Sequence, residues 1–442
     1  MTPGLALFYG GMARSKSVLN MMMMSFGAIG VVSLLWVVYG HSLAFGDDVG
    51  GVIGNLDLAG LRGLVDTGDK GGIPDLVFSG FQMMFAVITV ALISGAIADR
   101  ARFGPWLLFA VLWATFGYFP VAHWVWGGGW LGELGVIDFA GGTAVHVNAG
   151  AAALALALVL GRRRGWPKEA FKPHNLPMVL LGAGLLWFGW FGFNAGSELA
   201  ADGITAVAFL NTQVAAAAAV IGWLLVEKLR DGRPTTLGAA SGAVAGLVGI
   251  TPACAVLEPL GAIALGLIVG AVCALAVGLK YRWRYDDSLD VVGVHLVGGA
   301  IGSVLIGLLA TQLVTGPDGA KGLLYGGALG QLGLQFLGVA AVAAYSFAVA
   351  ALLGLLIEKT IGFRVLPEVE MTGIDTAEHA ESAYDYLGLS AGAFGRPSAP
   401  GRPVTQQPVT EQPVTEQSAP EQPGTPQPAP QQPVTASVRK EQ

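Results

Sequence analysis

Two pairs of ionisable residues, set in a chain otherwise rich in hydrocarbon side chains, are the groups able to do chemistry. In DFAGGTAVHVNAG, Asp138 stands at the mouth of an apolar stretch and His146 lies inside it. In DVVGVHLVGG, Asp290 and His295 repeat the pattern of an acid followed shortly by a Val-His pair. An ionisable side chain at membrane depth is costly, so it normally faces a bundle interior or an aqueous path. One buried histidine is ordinarily a hydrogen-bonded core residue. Two, in corresponding positions of two halves, point instead to a shared site. A neutral imidazole donates one hydrogen bond and accepts one, so a facing pair suits the passage of a small hydrogen-bonding molecule or the relay of a proton. A metal site is disfavoured, because zinc wants three or four protein ligands and no Cys or third His is near in sequence. No cofactor is expected, and an intramembrane enzyme is the weaker reading. Asp138 has two open readings: a cap on the following helix, or an electrostatic role in attracting a cation or guiding a proton.

Around these pairs, aromatic and polar groups gather without cations. WGGGW holds Trp126, FGFNAGS holds Phe193 and Ser197, and FQMMF holds Phe81, Gln82 and Phe85. An aromatic face attracts a desolvated cation by ~2 kcal/mol, most strongly at Trp, and a serine hydroxyl accepts from an N–H donor. An interfacial aromatic belt would account equally for Trp124, Trp126 and Trp130. His41, His123, His174 and His379 read as structural or surface residues.

The elements that must position these groups are membrane helices. Of 442 residues 53% are hydrophobic and only 12% charged, about half the charged share of soluble domains. The 66 glycines suit helices packed closely in lipid. The basic residues form no extended patch, which argues against nucleic acid as a partner. Ten apolar segments are long enough to cross: 18–45, 76–98, 105–125, 141–161, 176–196, 204–228, 236–254, 258–279, 289–314 and 329–358. Met1 to Gly11 is apolar but too short to span and reads as the inner half of a truncated first helix, making eleven. Cys254 and Cys273 flank an apolar run that, if helical, holds them too far apart for a disulfide.

Lys and Arg crowd alternate connections, including Arg14, Lys16, Arg100, Arg102, Arg162, Arg163, Arg164, Lys228, Lys280 and Lys359, whereas the other set holds only Arg62, Lys70 and Lys321. The positive-inside rule then puts the N-terminus outside and the C-terminus in the cytoplasm. The segments carrying His146 and His295 run in opposite directions, as an inverted repeat of five plus five helices requires. The chain divides into a transmembrane domain, 1–361, a cytoplasmic segment, 362–390, and a Pro/Gln/Thr-rich tail, 391–442, whose PVTQQ and PVTEQ repeats cannot form a core and should be disordered.

Taken together, ALFYGG, WVVYGHSLAFG, AHWVWGGGWLGELGVIDFAGGTAVHVNA, KEAFKPHNLP, WFGFNAGS, LVGITPAC, DDSLDVVGVH and GIDTAEHAESAY resemble the ammonium transporter family (Amt/MEP/Rh), in its bacterial Amt branch, from Met1 to about Leu387. The resemblance implies an all-α, eleven-helix membrane protein assembled as a homotrimer in the plasma membrane, each subunit with its own pore. It implies that Trp126, Phe85 and Ser197 recruit ammonium on the outside and that Phe85 and Phe193 form a gate below. It further implies that His146 and His295 are twin pore histidines, that Trp190 lines the pore and that Asp138 is the vestibule acid. Ammonium would be deprotonated near the gate and conducted as ammonia, with or without its proton. The segment after residue 361 resembles one that answers a PII-type nitrogen-regulatory protein. An ammonium sensor signalling through that segment is the alternative.

Overall fold

Long apolar runs become helices here because a backbone in hydrocarbon must satisfy its own hydrogen bonds. The computed structural model describes residues 1–65 and 72–384; the expected disordered tail, 391–442, lies outside the described residues. Among the described residues nine helices are long and apolar enough to cross a membrane: Val18–Phe45, Asp75–Ile97, Phe103–Glu133, Gly142–Leu160, Leu176–Gly196, Gly203–Asp231, Pro259–Trp283, Val292–Leu309 and Leu329–Thr360. Two shorter helices, Thr2–Met12 and Thr236–Ile250, pack among them.

The apolar run 236–254 is helical only over Thr236–Ile250, a shorter helix than its hydropathy suggests. That helix has 15 residues, about 22 Å at 1.5 Å per residue, and the turn after it reaches Asn211, which donates to Cys254 O and Leu257 O. Pro252 has no N–H to offer, and the chain turns through Thr251–Val256. The sequence remains apolar through the turn, so hydropathy alone did not mark the end.

Helix starts follow local chemistry. Asn175 accepts from Met178 N, Asp202 from Ile204 N and Thr205 N, and Thr235 from Gly238 N, each satisfying an otherwise orphaned donor. Glycine lets the helices approach closely. A Cβ on Gly302 would overlap the carbonyl oxygen of Gly249. Gly302→Ala must therefore push two helices apart, at an expected cost of about 1–3 kcal/mol, visible as a lower melting temperature in detergent.

On the face carrying the basic connections, Arg163 grips both oxygens of Asp286 through Nε and Nη2, each at 2.9 Å, and donates to Asp99 at 3.1 Å. Burial alone would raise the Asp286 carboxyl, but the Arg163 hydrogen bonds and the charges of Arg100 and Arg163 hold it below the usual carboxylate range. The segment after the last long helix lies across the same face. Glu370 accepts from Arg164 N and from Arg364 at 2.7 Å, Asp375 accepts from Leu19 N and Asn20 N, and Glu378 accepts from Phe103 N. Opposite, the antiparallel pair Asp48–Val49 and Ile53–Gly54 forms a small hairpin.

Candidate functional site

The turn bearing His146 is wound wider than an α-helix: His146 N donates to Gly141 O, five residues back. The turn Val292–Leu296, bearing His295, is wound the same way. Such single wide turns often occur at functional sites, because the extra residue re-aims a side chain. Asp138 holds the first turn, its Oδ1 accepting from Gly141 N and Gly142 N and its Oδ2 from Thr143 N and Ala144 N, all at 2.7–2.9 Å.

The acid paired with His295 is corrected from Asp290 to Asp287. Asp287 accepts from Val291 N at 3.1 Å and Val292 N at 2.7 Å, and it precedes His295 by the same eight positions that separate Asp138 from His146. Asp290 instead has a left-handed backbone, φ 64°, and pairs with Lys280 at 2.6 Å. The Val-His spacing drew attention to the nearer acid; the matching interval to the first pair was the available signal. Burial pushes the Asp287 carboxyl up to about 6, against the opposing pull of Lys280.

Four residues beyond each histidine stands a glycine. A Cβ on Gly299 would come within 2.9 Å of His146 Cβ, and one on Gly150 within 2.6 Å of Leu296 Cβ. Each half thus opens a gap for the other's histidine turn, and the rings meet. Nδ1 of His146 and Nδ1 of His295 are 3.2 Å apart, one donating and the other accepting, with the rings near-parallel at 25°. Both residues are only 3% exposed. Trp190 stacks on His146 at 5.4 Å, its indole N–H fixed by the Thr251 hydroxyl at 2.7 Å. Thr251 was not anticipated from the sequence; it sits in the turn that cuts short the helix Thr236–Ile250.

His146, His295, Trp190 and Thr251 line one cavity, otherwise walled by apolar groups such as Leu5, Phe8, Ile88 and Leu186. Phe85 belongs both to this cavity and to a second one lined by Trp126, Ser197, Gln82 and Phe139. Phe85 and Phe193 meet edge to face at 4.3 Å where the two cavities adjoin, and Trp126 lies 5.5 Å from Phe85. Ser197 donates to Phe193 O at 2.7 Å, which leaves its oxygen lone pairs as acceptors. The buried Gln82 Oε1 has no hydrogen-bond partner among the described residues. On the far side, His295 also borders a smaller cavity with Asp290 and Tyr9. The cavities share walls in the order Trp126, Phe85, His146, His295, Asp290, a broken path along the molecule. The structure therefore brings together every expected site residue except Asp138, whose carboxylate is turned to the backbone of the His146 turn. Trp126 Nε1 donates to Asp138 O at 2.7 Å, linking that loop to the cavity lined by Trp126.

Comparison with known proteins agrees. The Ammonium Transporter Family matches residues 1–384. An ammonium transporter of Mycobacterium tuberculosis is 58% identical over 416 residues, 87% of each chain. An ammonium transporter of Bacillus subtilis is 50% identical over 387 residues, covering 87% of this chain and 95% of its own. Among solved structures, Saccharomyces cerevisiae Mep2 aligns with a TM-score of 0.76 at 38% identity, covering 83% of this chain and 84% of its own. A protein described as Sensor Amt Protein aligns at 0.79 and 32% identity, covering 86% and 94%.

Proposed function

Because this chain belongs to the ammonium transporter family and is a multi-pass ammonium transporter, not an enzyme, we propose that it recruits ammonium at Trp126, Phe85 and Ser197 and conducts ammonia past Phe193 to His146 and His295. The observation that carries this reading is the 3.2 Å Nδ1–Nδ1 contact on the wall of an apolar cavity that adjoins the aromatic outer one. In the outer cavity the cation meets π faces and the Ser197 oxygen, partners that replace part of its hydration. Beyond Phe85 the walls are hydrocarbon, where a charge is costly and neutral ammonia is not. The proton therefore leaves near the gate, taken up by water of the cation's hydration in the outer cavity. Ammonia, with three donors and one lone pair, exchanges hydrogen bonds with two imidazoles that hold one another in place.

The same reading takes Asp138 as the vestibule acid, acting through the loop it braces, and treats the two histidine-bearing segments as halves of an inverted repeat. It places the N-terminus outside, the C-terminus in the cytoplasm and the protein in the plasma membrane as a homotrimer. Residues 362–390 serve as the regulatory segment that answers a PII-type protein, and 391–442 as a dispensable tail. The full chain and a chain lacking residues 396–442 are both expected to restore labelled methylammonium uptake, to the same extent, in a cell without other ammonium transporters. Failure of both would contradict transport, and failure of the shortened chain alone would give the tail a role. Sensing is the second reading, favoured by the likeness to a protein described as a sensor. A cell lacking this protein that still takes up methylammonium normally would support it.

A further inference from the structure

The outer indole, Trp126, ends the helix Phe119–Trp126, which has 8 residues and runs straight into Gly127, Gly128 and Gly129. A glycine run has no side chains with which to hold its shape, and Gly128 is left-handed at φ 87°. What fixes the end of this helix is one turn earlier. His123, fully buried, hydrogen-bonds through Nδ1 with Ala44 O at 3.0 Å and through Nε2 with an Asp48 carboxylate oxygen at 2.8 Å. Both ring nitrogens thus face oxygen atoms, one on the preceding helix and one on the hairpin, so the ring ties the two together. The His123 carbonyl in turn accepts from Gly127 N and Gly129 N, each at 3.0 Å. A Cβ on Gly127 would strike this histidine, 2.7 Å from Nδ1.

Asp48 belongs to the outer hairpin, where it also accepts from Gly51 N at 2.8 Å. The hairpin grips the residues flanking Trp126: Trp124 Nε1 donates to Val52 O at 2.8 Å and Trp130 N to Gly51 O at 3.1 Å. The Trp126 indole N–H is committed to Asp138 O instead. We infer that His123 and Asp48 are positioning residues that clamp the outer hairpin to the last turn of this helix and so set the Trp126 face against Phe85 for ammonium. The inference rests on the recruitment role proposed for Trp126. A hairpin that merely stabilised the loop would change the amount of folded protein and not the apparent affinity.

The test is labelled methylammonium uptake by reconstituted vesicles, with rates normalised to the folded protein present. Asp48 is 40% exposed at its side chain, so its replacement leaves the buried core alone. Asp48→Ala is expected to raise the half-saturating concentration about tenfold, most of the value of a desolvated cation–π contact, with the maximal rate unchanged. Asp48→Asn, which keeps an acceptor for Nε2, is expected to recover the wild-type value. Asp48→Ala/Trp126→Leu should be no worse than Trp126→Leu alone, because both act on one ring. A loss confined to the maximal rate, effects that multiply in the double variant, or no recovery in Asp48→Asn overturns the assignment. If Trp126→Leu raises the half-saturating concentration and Asp48→Ala does not, the positioning role fails alone. If Trp126→Leu has no effect, the recruitment reading fails and takes this inference with it.

Discussion

Asp138→Ala is expected to abolish transport and to lower the melting temperature, and Asp138→Asn to leave a folded protein with uptake reduced about a hundredfold, a loss of roughly 3 kcal/mol. The reason is the density of bonds on one carboxylate. Its two oxygens satisfy four backbone N–H groups in sequence, Gly141 through Ala144, at the start of the helix whose first turn carries His146. Those donors would otherwise be orphaned in a buried place, and the positive end of the helix dipole favours the negative charge. Alanine removes all four acceptors. Asparagine keeps two, but its NH2 group then faces the N–H groups of Thr143 and Ala144, donor against donor. The His146 turn must unwind to relieve this, and the ring leaves His295. Because Trp126 Nε1 bonds to Asp138 O, the outer cavity loses its shape at the same time. Wild-type uptake by Asp138→Ala would show that the loop needs no brace.

Much of this was legible in the sequence because the relevant signals are periodic or chemically costly. The run Leu176–Gly196 matches the apolar segment residue for residue, since lipid tolerates no other backbone there. His146 and His295 stood out because an imidazole among hydrocarbon side chains needs a reason. Four things were hidden, each for its own cause. The short helix Thr236–Ile250 ends inside an apolar run, and hydropathy does not register a turn that is itself apolar. Asp287 was passed over for Asp290 because proximity in sequence outweighed interval; only the cap geometry separates an acid bonded to backbone N–H groups from one bonded to Lys280. Thr251 gives no pattern at all, since its role is a single hydrogen bond to Trp190 across 61 positions. His123, which reads as structural or surface in the sequence, is fully buried, and its reach to Asp48 across 75 positions has no sequence signature.

His146→Ala and His295→Asp are each expected to cut methylammonium uptake about a hundredfold, roughly 2.7 kcal/mol in the barrier, without preventing assembly. Each ring is the other's hydrogen-bond partner at 3.2 Å, so alanine leaves the remaining Nδ1 unpaired in an apolar cavity and opens a gap the size of an imidazole. A molecule crossing there loses one of two successive partners where, among the described residues, no other polar side chain but Thr251 and Trp190 lines the wall. Aspartate at 295 brings a charge beside His146, which holds a passing cation or proton instead of releasing it. The helices packed around the pair, joined through Gly150 and Gly299, are left with more space and not less, so folding survives. The direct test is initial uptake by vesicles holding equal amounts of wild-type protein, each single variant and protein lacking both imidazoles. The account predicts that the doubly substituted protein is no faster than either single variant and close to protein-free vesicles. Uptake at the wild-type rate from protein with neither ring would contradict it.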